Sequence, residues 1–198
     1  MSISKDNSER QSTVTREGTE FEQHVKAYVN GVFKSATVPL LILDKNEVFG
    51  DEKLRALFSI PISDTKKVWG DLDLLAIDVN SGFPIAVISC KLSLHGRFSE
   101  TLFYALVFKK LAPKTKVVFA TPDKGRQSKE KVWASEWGSA DVPTRDRDFG
   151  EYFVDGVYID NIYLKKKWGM DGKTKLSGKI KDISELPNDI IKWSKEVR

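Results

Sequence analysis

Two apolar runs, 74–79 and 84–90, are joined by an Asn-Ser-Gly-Phe turn, with charged residues at their outer ends. Short runs of this kind about a glycine-containing turn predict a β-hairpin. Side chains alternate along a strand. Ile85, Val87, Ser89 and Lys91 therefore share one face of the second strand, and Ala86, Ile88 and Cys90 share the other. Asp71 and Asp73 stand where the first strand begins, across from Lys91 at the end of the second. Carboxylates beside an ammonium suit a metal-dependent hydrolase, in which the acids hold a cation and the lysine orients or activates a water. The same residues also suit a hairpin whose charged ends are simply solvated.

The order WGDLDLLAID (69–78) and then PIAVISCK (84–91) resembles the PD-(D/E)XK nuclease superfamily, and its type II restriction endonucleases in particular. In that family an acid opens one strand and an acid-x-lysine closes the next. Asp73 matches the first position, because it directly precedes the apolar strand, and Ser89-Cys90-Lys91 matches the second. Ser89 departs from the usual Asp or Glu. Some restriction enzymes have Ser-x-Lys here and recruit a glutamate from the following helix. Glu100, nine residues beyond Lys91, lies in a segment that reads as helix.

The resemblance covers roughly residues 18–120 and rests on order and context more than on the short motif. It implies an α/β fold, a mixed β-sheet nuclease core flanked by helices. It also implies Mg²⁺, with Mn²⁺ as substitute, held by Asp73 and Glu100, with Asp71 or Glu22 as further candidates. Lys91 would act on the water. Two of these acids have a structural reading as well. Thr19-x-x-Glu22 has the form of a capping box, and a glutamate in a first helical turn is favoured by the helix dipole.

Composition narrows the class. Hydrophobic residues make up 40% of the 198 residues and charged residues 30%, as in soluble globular domains. No apolar run is long enough to span a bilayer, and no apolar stretch follows the charged N-terminus, so cytoplasm is the expected location. A single cysteine rules out an internal disulfide framework, and no Cys/His cluster suggests structural zinc.

The net charge of +4 is unevenly spread. Residues 109–131 carry eight Lys/Arg against Asp123 and Glu130, and residues 162–181 carry seven Lys against Asp171. Residues 141–160 carry six acids against Arg145 and Arg147. Basic blocks on a near-neutral chain suit a surface that tracks phosphates, though lysine-rich segments also serve as plain solvated faces. Lys165, Lys166 and Lys167 are the candidate DNA contacts in the second block. Arg97, whose guanidinium can grip a phosphate bidentately, is the candidate next to the motif.

Along the chain, residues 1–15 read as a disordered tail and 16–198 as one domain, with 18–120 as catalytic core and 121–198 for DNA contact or dimerisation. The pattern predicts a helix over 20–34, with Phe21, Val25, Tyr28 or Val29, and Val32 on its apolar stripe. A strand over 38–43 and a helix over 51–58 follow. After the hairpin come a buried helix over 98–111 and a strand over 115–121. Strand, helix and strand in that order predict a crossover that adds the last strand parallel. Residues 152–164 alternate like a strand, and 184–196 read as a helix.

Together these readings predict hydrolysis of phosphodiesters in double-stranded DNA by a type II restriction enzyme. It would act as a homodimer, or as one subunit of a heterodimeric restriction enzyme. The rivals are a DNA-binding module whose nuclease site has decayed, which Ser89 favours, and a repair or junction-resolving nuclease.

Overall fold

The computed structural model describes residues 3–196 apart from 71, 95–97 and 128–132, and for 3–12, 127 and 133 it describes the backbone alone. The elements run α1 (Ile3–Ser35), β1 (Leu40–Asp44), α2 (Lys45–Gly50), α3 (Glu52–Leu57), β2 (Ser59–Pro61), β3 (Lys67–Trp69), β4 (Leu74–Asp78) and β5 (Pro84–Cys90). They continue with α4 (Phe98–Leu111), β6 (Lys116–Thr121), β7 (Arg126–Gln127), β8 (Trp133–Ala134), α5 (Arg145–Phe153), β9 (Gly156–Ile159), α6 (Asn161–Trp168), β10 (Ile180–Asp182) and α7 (Leu186–Glu196).

Six strands form one sheet in the order β1-β4-β5-β6-β9-β10. The pairs β1/β4 and β4/β5 are antiparallel, and β5/β6, β6/β9 and β9/β10 are parallel. This is the mixed α/β core expected, with α4 as the crossover between β5 and β6. Alternation along the strands divides the interior in two. Leu74, Ala76, Ala86, Ile88, Cys90, Val118, Ala120 and Tyr158 pack with Phe21, Val25, Val29 and Phe33 of α1 and Ile190 and Trp193 of α7. Leu75, Val87, Val117, Phe119 and Val157 face the other way, onto Phe98, Ala105 and Phe108 of α4 and onto Trp137.

Ile85 breaks the predicted face assignment and joins the α1 side. The pairing passes from Ala76↔Ala86 to Ile77↔Pro84, so Ile85 is the extra residue of a bulge. A bulge reverses the facing of what precedes it.

Three further expectations change. The segment read as a disordered tail is helical from Ile3, so α1 is 33 residues long. Its Lys, Glu, Arg and Gln are good helix formers, and polar composition does not oppose a solvated helix. Thr19 is consequently mid-helix, which removes the capping box proposed for Glu22. The strand read over 152–164 is the end of α5, the strand β9 and the start of α6. Asp160 begins α6 within this run by accepting the Tyr163 N–H at 2.7 Å, whereas α5 begins well upstream of it, where Thr144 accepts the Arg147 N–H. Gly169 ends α6 in the left-handed region, where glycine is strain-free.

Polar ties fasten the layers. Asp44 caps α2 by accepting the Asn46 and Glu47 N–H groups, and its other oxygen takes the Lys26 ammonium of α1 at 2.8 Å. Arg147 is almost fully buried and donates to Glu151, to the carbonyls of Lys175 and Ser177, and to Ser177 Oγ, which secures the loop leading into β10. Among the described residues no helix is long and apolar enough to cross a membrane.

Candidate active site

β4 and β5 are antiparallel, so the start of β4 and the end of β5 lie on one edge of the sheet. Asp73 and Lys91 flank that edge and meet. Lys91 Nζ lies 2.9 Å from Asp73 Oδ2 and 3.3 Å from Oδ1. The same Oδ2 accepts the Cys90 backbone N–H at 2.8 Å and is 3.4 Å from Ser89 Oγ. Asp73 is buried, and both charged side chains are roughly nine-tenths shielded from water. A buried carboxylate is tolerated only with such partners.

Ser89 occupies the position where the resemblance expects an acid. Its hydroxyl is 3.0 Å from Thr101 Oγ1 of α4, so the strand and helix meet through two neutral hydroxyls. Asp73, Ser89, Lys91, Glu100 and Thr101 line one cleft, floored by Val87, Ala105, Phe108 and Val117. Glu100 reaches it from the first turn of α4 and is exposed.

The floor is tight. Gly70 is buried where the chain enters the segment before Asp73, and a Cβ there would fall 2.7 Å from Phe108 Cε1. The Gly70 N–H also donates to the Phe58 carbonyl at 3.1 Å. Phe108 sits two turns beyond Thr101 on α4, so the helix bearing Glu100 rests directly on the backbone that leads to Asp73.

Cys90 points into the core as a small apolar residue. Burial pushes its thiol well above the ordinary range, and the carboxylates of Asp73 and then Glu22 push it further against the opposing Lys91. Glu22 is thus near the end of β5, on α1's side of the sheet. It is half-buried and is not one of the residues lining the Asp73 cleft.

The remaining candidates are dispersed. Asp71 and Arg97 lie outside the described residues. Lys165, Lys166 and Lys167 form the last turn of α6. Lys165 is 3.2 Å from Asp171, Lys167 is bonded to Glu20 of α1, and Lys166 is exposed. His24 of α1 bonds Asp160 Oδ2 at 3.0 Å and meets the Tyr163 ring at a tilt, which ties α1 to α6.

Sequence reasoning missed a second cleft, lined by Leu94, Arg126, Glu136, Thr144, Arg145 and Asp146. The Leu94 N–H donates to Glu136 Oε2 at 2.5 Å, which fastens the chain between Lys91 and α4 to the 122–138 segment. That segment is organised by buried Asp123, which accepts from Ser135 Oγ, the Glu136 and Gly125 N–H groups and Thr174 Oγ1. The signal for this cleft was Thr144 at the head of α5, two residues after an apolar Val142, which marks a helix start next to two arginines.

A cation fits the donor set of the first cleft. Among the described residues no cluster of three or more His, Cys, Asp or Glu forms a closed cage. Mg²⁺ is commonly held by one or two carboxylates, with water and substrate phosphate completing its shell. Asp73 and Glu100 offer two carboxylates, and the hydroxyls of Ser89 and Thr101 add only hard, neutral oxygen.

A family model described as BsaWI restriction endonuclease type 2 matches residues 44–189. Comparison with curated proteins finds no match. A solved structure, the crystal structure of the pre-specific restriction endonuclease BsaWI–DNA complex, shares the fold with a TM-score of 0.59 and 12% sequence identity, over 98% of this chain and 67% of that one.

Proposed function

The chain belongs to the BsaWI family of type II restriction endonucleases, and we propose that Asp73, Lys91 and Glu100 form the centre with which it hydrolyses phosphodiesters in duplex DNA. It is a type II site-specific deoxyribonuclease. The observation that supports this centre is the convergence of the Asp73 carboxylate, the Lys91 ammonium and the Glu100 carboxylate in one cleft at one sheet edge.

Asp73 and Glu100 would hold Mg²⁺ or Mn²⁺, which when bound stabilises charge on the scissile phosphate and lowers the pKa of a water. Asp73 is held in place by the Cys90 N–H and by Lys91, so its carboxylate is oriented before substrate arrives. Lys91 Nζ donates into the cleft, where it orients the attacking water and steadies the negative charge that grows on the phosphate. Ser89 and Thr101 keep the space between strand and helix polar without adding a third charge.

DNA would lie across the edge formed by the ends of β5, β6 and β9, where open parallel sheets bind their ligands. Arg126 and Arg145 of the second cleft, Arg97 close to the motif in sequence and the Lys165–Lys167 turn are the cations suited to phosphates or bases. Cutting both strands of a short site is most simply done by a homodimer whose two-fold matches that of the DNA.

Incubation with long duplex DNA and Mg²⁺ tests the reading. Discrete fragments are expected. A smear would mean a nonspecific nuclease, and retained binding without cutting would mean a binding module with an inert site. Lys91→Ala should abolish cutting, and near wild-type cutting by that variant would reject the assignment.

A further inference from the structure

Asp73, Lys91 and Glu100 can act together only if the chain between Lys91 and α4 is held on a fixed path. Leu94 lies on that path and is buried, so its backbone groups need partners within the protein. Its carbonyl accepts the Phe98 N–H at the start of α4 at 3.2 Å, and its N–H donates to Glu136 Oε2 at 2.5 Å. A carboxylate acceptor makes a charge-assisted bond, shorter and stronger than one between neutral groups.

Glu136 is itself held from both sides. Its N–H donates to Asp123 Oδ1 at 3.1 Å, and its carbonyl accepts the Thr144 hydroxyl at 2.8 Å. The next residue, Trp137, is fully buried, and its ring meets Phe98 edge to face with 5.1 Å between centroids. The segment that carries Glu136 thus meets the head of α4 twice, by a carboxylate at Leu94 and by an indole at Phe98. The later part of α4 is fixed by packing, through the contact of Phe108 with Gly70. The head is fastened by a side-chain bond, and Glu100 lies two residues beyond Phe98.

We infer that Glu136 is a positioning residue for Glu100. By holding Leu94 it sets where α4 begins, and so where the Glu100 carboxylate stands relative to Asp73. Glu136 lines the cleft of Arg126 and Arg145 and is not one of the residues lining the Asp73 cleft, so it acts through the helix. The inference rests on the reading of Glu100 as an acid that holds the cation.

Glu136→Ala and Glu136→Gln test it together. Alanine removes the acceptor. Glutamine keeps an oxygen that can accept the Leu94 N–H and drops the charge that Arg126 and Arg145 would feel. Glu136→Ala should slow single-turnover plasmid cleavage about 10–100-fold and raise the Mg²⁺ needed for half-maximal rate about tenfold. Glu136→Gln should stay within about threefold of wild type in both, because a neutral acceptor still satisfies the N–H. The Leu94 amide should exchange its hydrogen faster in Glu136→Ala than in either of the others. A loss of stability alone would lower the melting temperature and leave the Mg²⁺ requirement where it is. The inference is overturned if Glu136→Ala keeps the wild-type Mg²⁺ requirement. It is also overturned if Glu136→Gln is as impaired as Glu136→Ala, which would place the effect in the charge of the second cleft. Mn²⁺ binding to the full chain, followed by electron paramagnetic resonance, separates this from the nuclease reading. A wild type that binds Mn²⁺ but cuts no DNA rejects that reading. The inference then stands if Glu136→Ala weakens Mn²⁺ binding while Glu136→Gln keeps it, and falls otherwise. A wild type that neither cuts nor binds Mn²⁺ overturns both.

Discussion

Replacing Glu100 by glutamine keeps the shape of the side chain and removes one of the two carboxylates in the Asp73 cleft. Glu100 is exposed and in the first turn of α4, so its contribution to folding is mainly its interaction with the helix dipole. That is worth about 0.3–1 kcal/mol, a fall of about 1–4 °C in Tm for a chain of this size. The expected effect on cleavage is of another order. A group that helps hold the cation and its load of transition-state charge contributes about 3–4 kcal/mol, or about 10²–10³-fold in rate. Single-turnover cleavage of a supercoiled plasmid, read beside a thermal melt, separates the two. The variant should also need more Mg²⁺ to reach its own maximal rate. Adding Ser89→Glu should restore part of the activity, because Ser89 Oγ already lies 3.4 Å from Asp73 Oδ2. Cutting within twofold of wild type would refute the reasoning and pass the role to Glu22 or Asp71. A melt lowered far beyond the dipole value would show that Glu100 is structural.

Chelation by EDTA should stop cleavage while DNA still binds, measured by mobility shift beside digestion; full cutting in a metal-free preparation would exclude the mechanism. Affinity should fall steeply with salt, and charge reversal of Lys165, Lys166 and Lys167 together should weaken binding to all sequences about equally and flatten that slope; no loss would move the phosphate surface off α6. Burial alone would raise the Asp44 carboxyl, but the Lys26 ammonium and the Glu47 and Asn46 N–H groups outweigh it and hold it below its usual value. Its stabilising contribution is therefore full above the ordinary carboxylate range and is lost as pH falls through the lower folded value. Denaturant melts should show Asp44→Asn less stable than wild type at neutral pH, by about 1 kcal/mol, with the gap closing below about pH 4. A gap that persists in acid would assign the loss to packing.

The parts of the fold legible in the sequence are those with local causes. The β4–β5 hairpin and the β5-α4-β6 crossover follow from apolar period and turn chemistry within a few residues. Asp73, Lys91 and Glu100 share a cleft because that crossover returns them to one edge. What escaped reading depends on distant partners. The bulge at Ile85 is set by how β4 pairs, not by the residues around it. The run 152–164 alternates by coincidence across a helix end, a strand and a helix start, and the Asp160 cap that opens the second helix is a single side chain. His24 and Asp160, 136 residues apart, meet only once α6 has folded against α1. Arg147 is buried because its partners come from a loop about thirty residues on.

The contact between Gly70 and Phe108 bears on how such a protein can change over time. Phe108 leaves no room for a side chain at position 70, so any residue larger than glycine there must displace the Phe108 ring of α4 from the chain that carries Asp73. The gap between the two acids is thereby inherited as a unit. The rest of the same edge is fastened differently. Around Asp123 the bonds are hydrogen bonds from Ser135, Thr174 and main-chain amides, and single substitutions can exchange such bonds without repacking the interior. Descendants of this chain would be free to vary what they meet at that end of the edge while the spacing of Asp73 from α4 stays fixed.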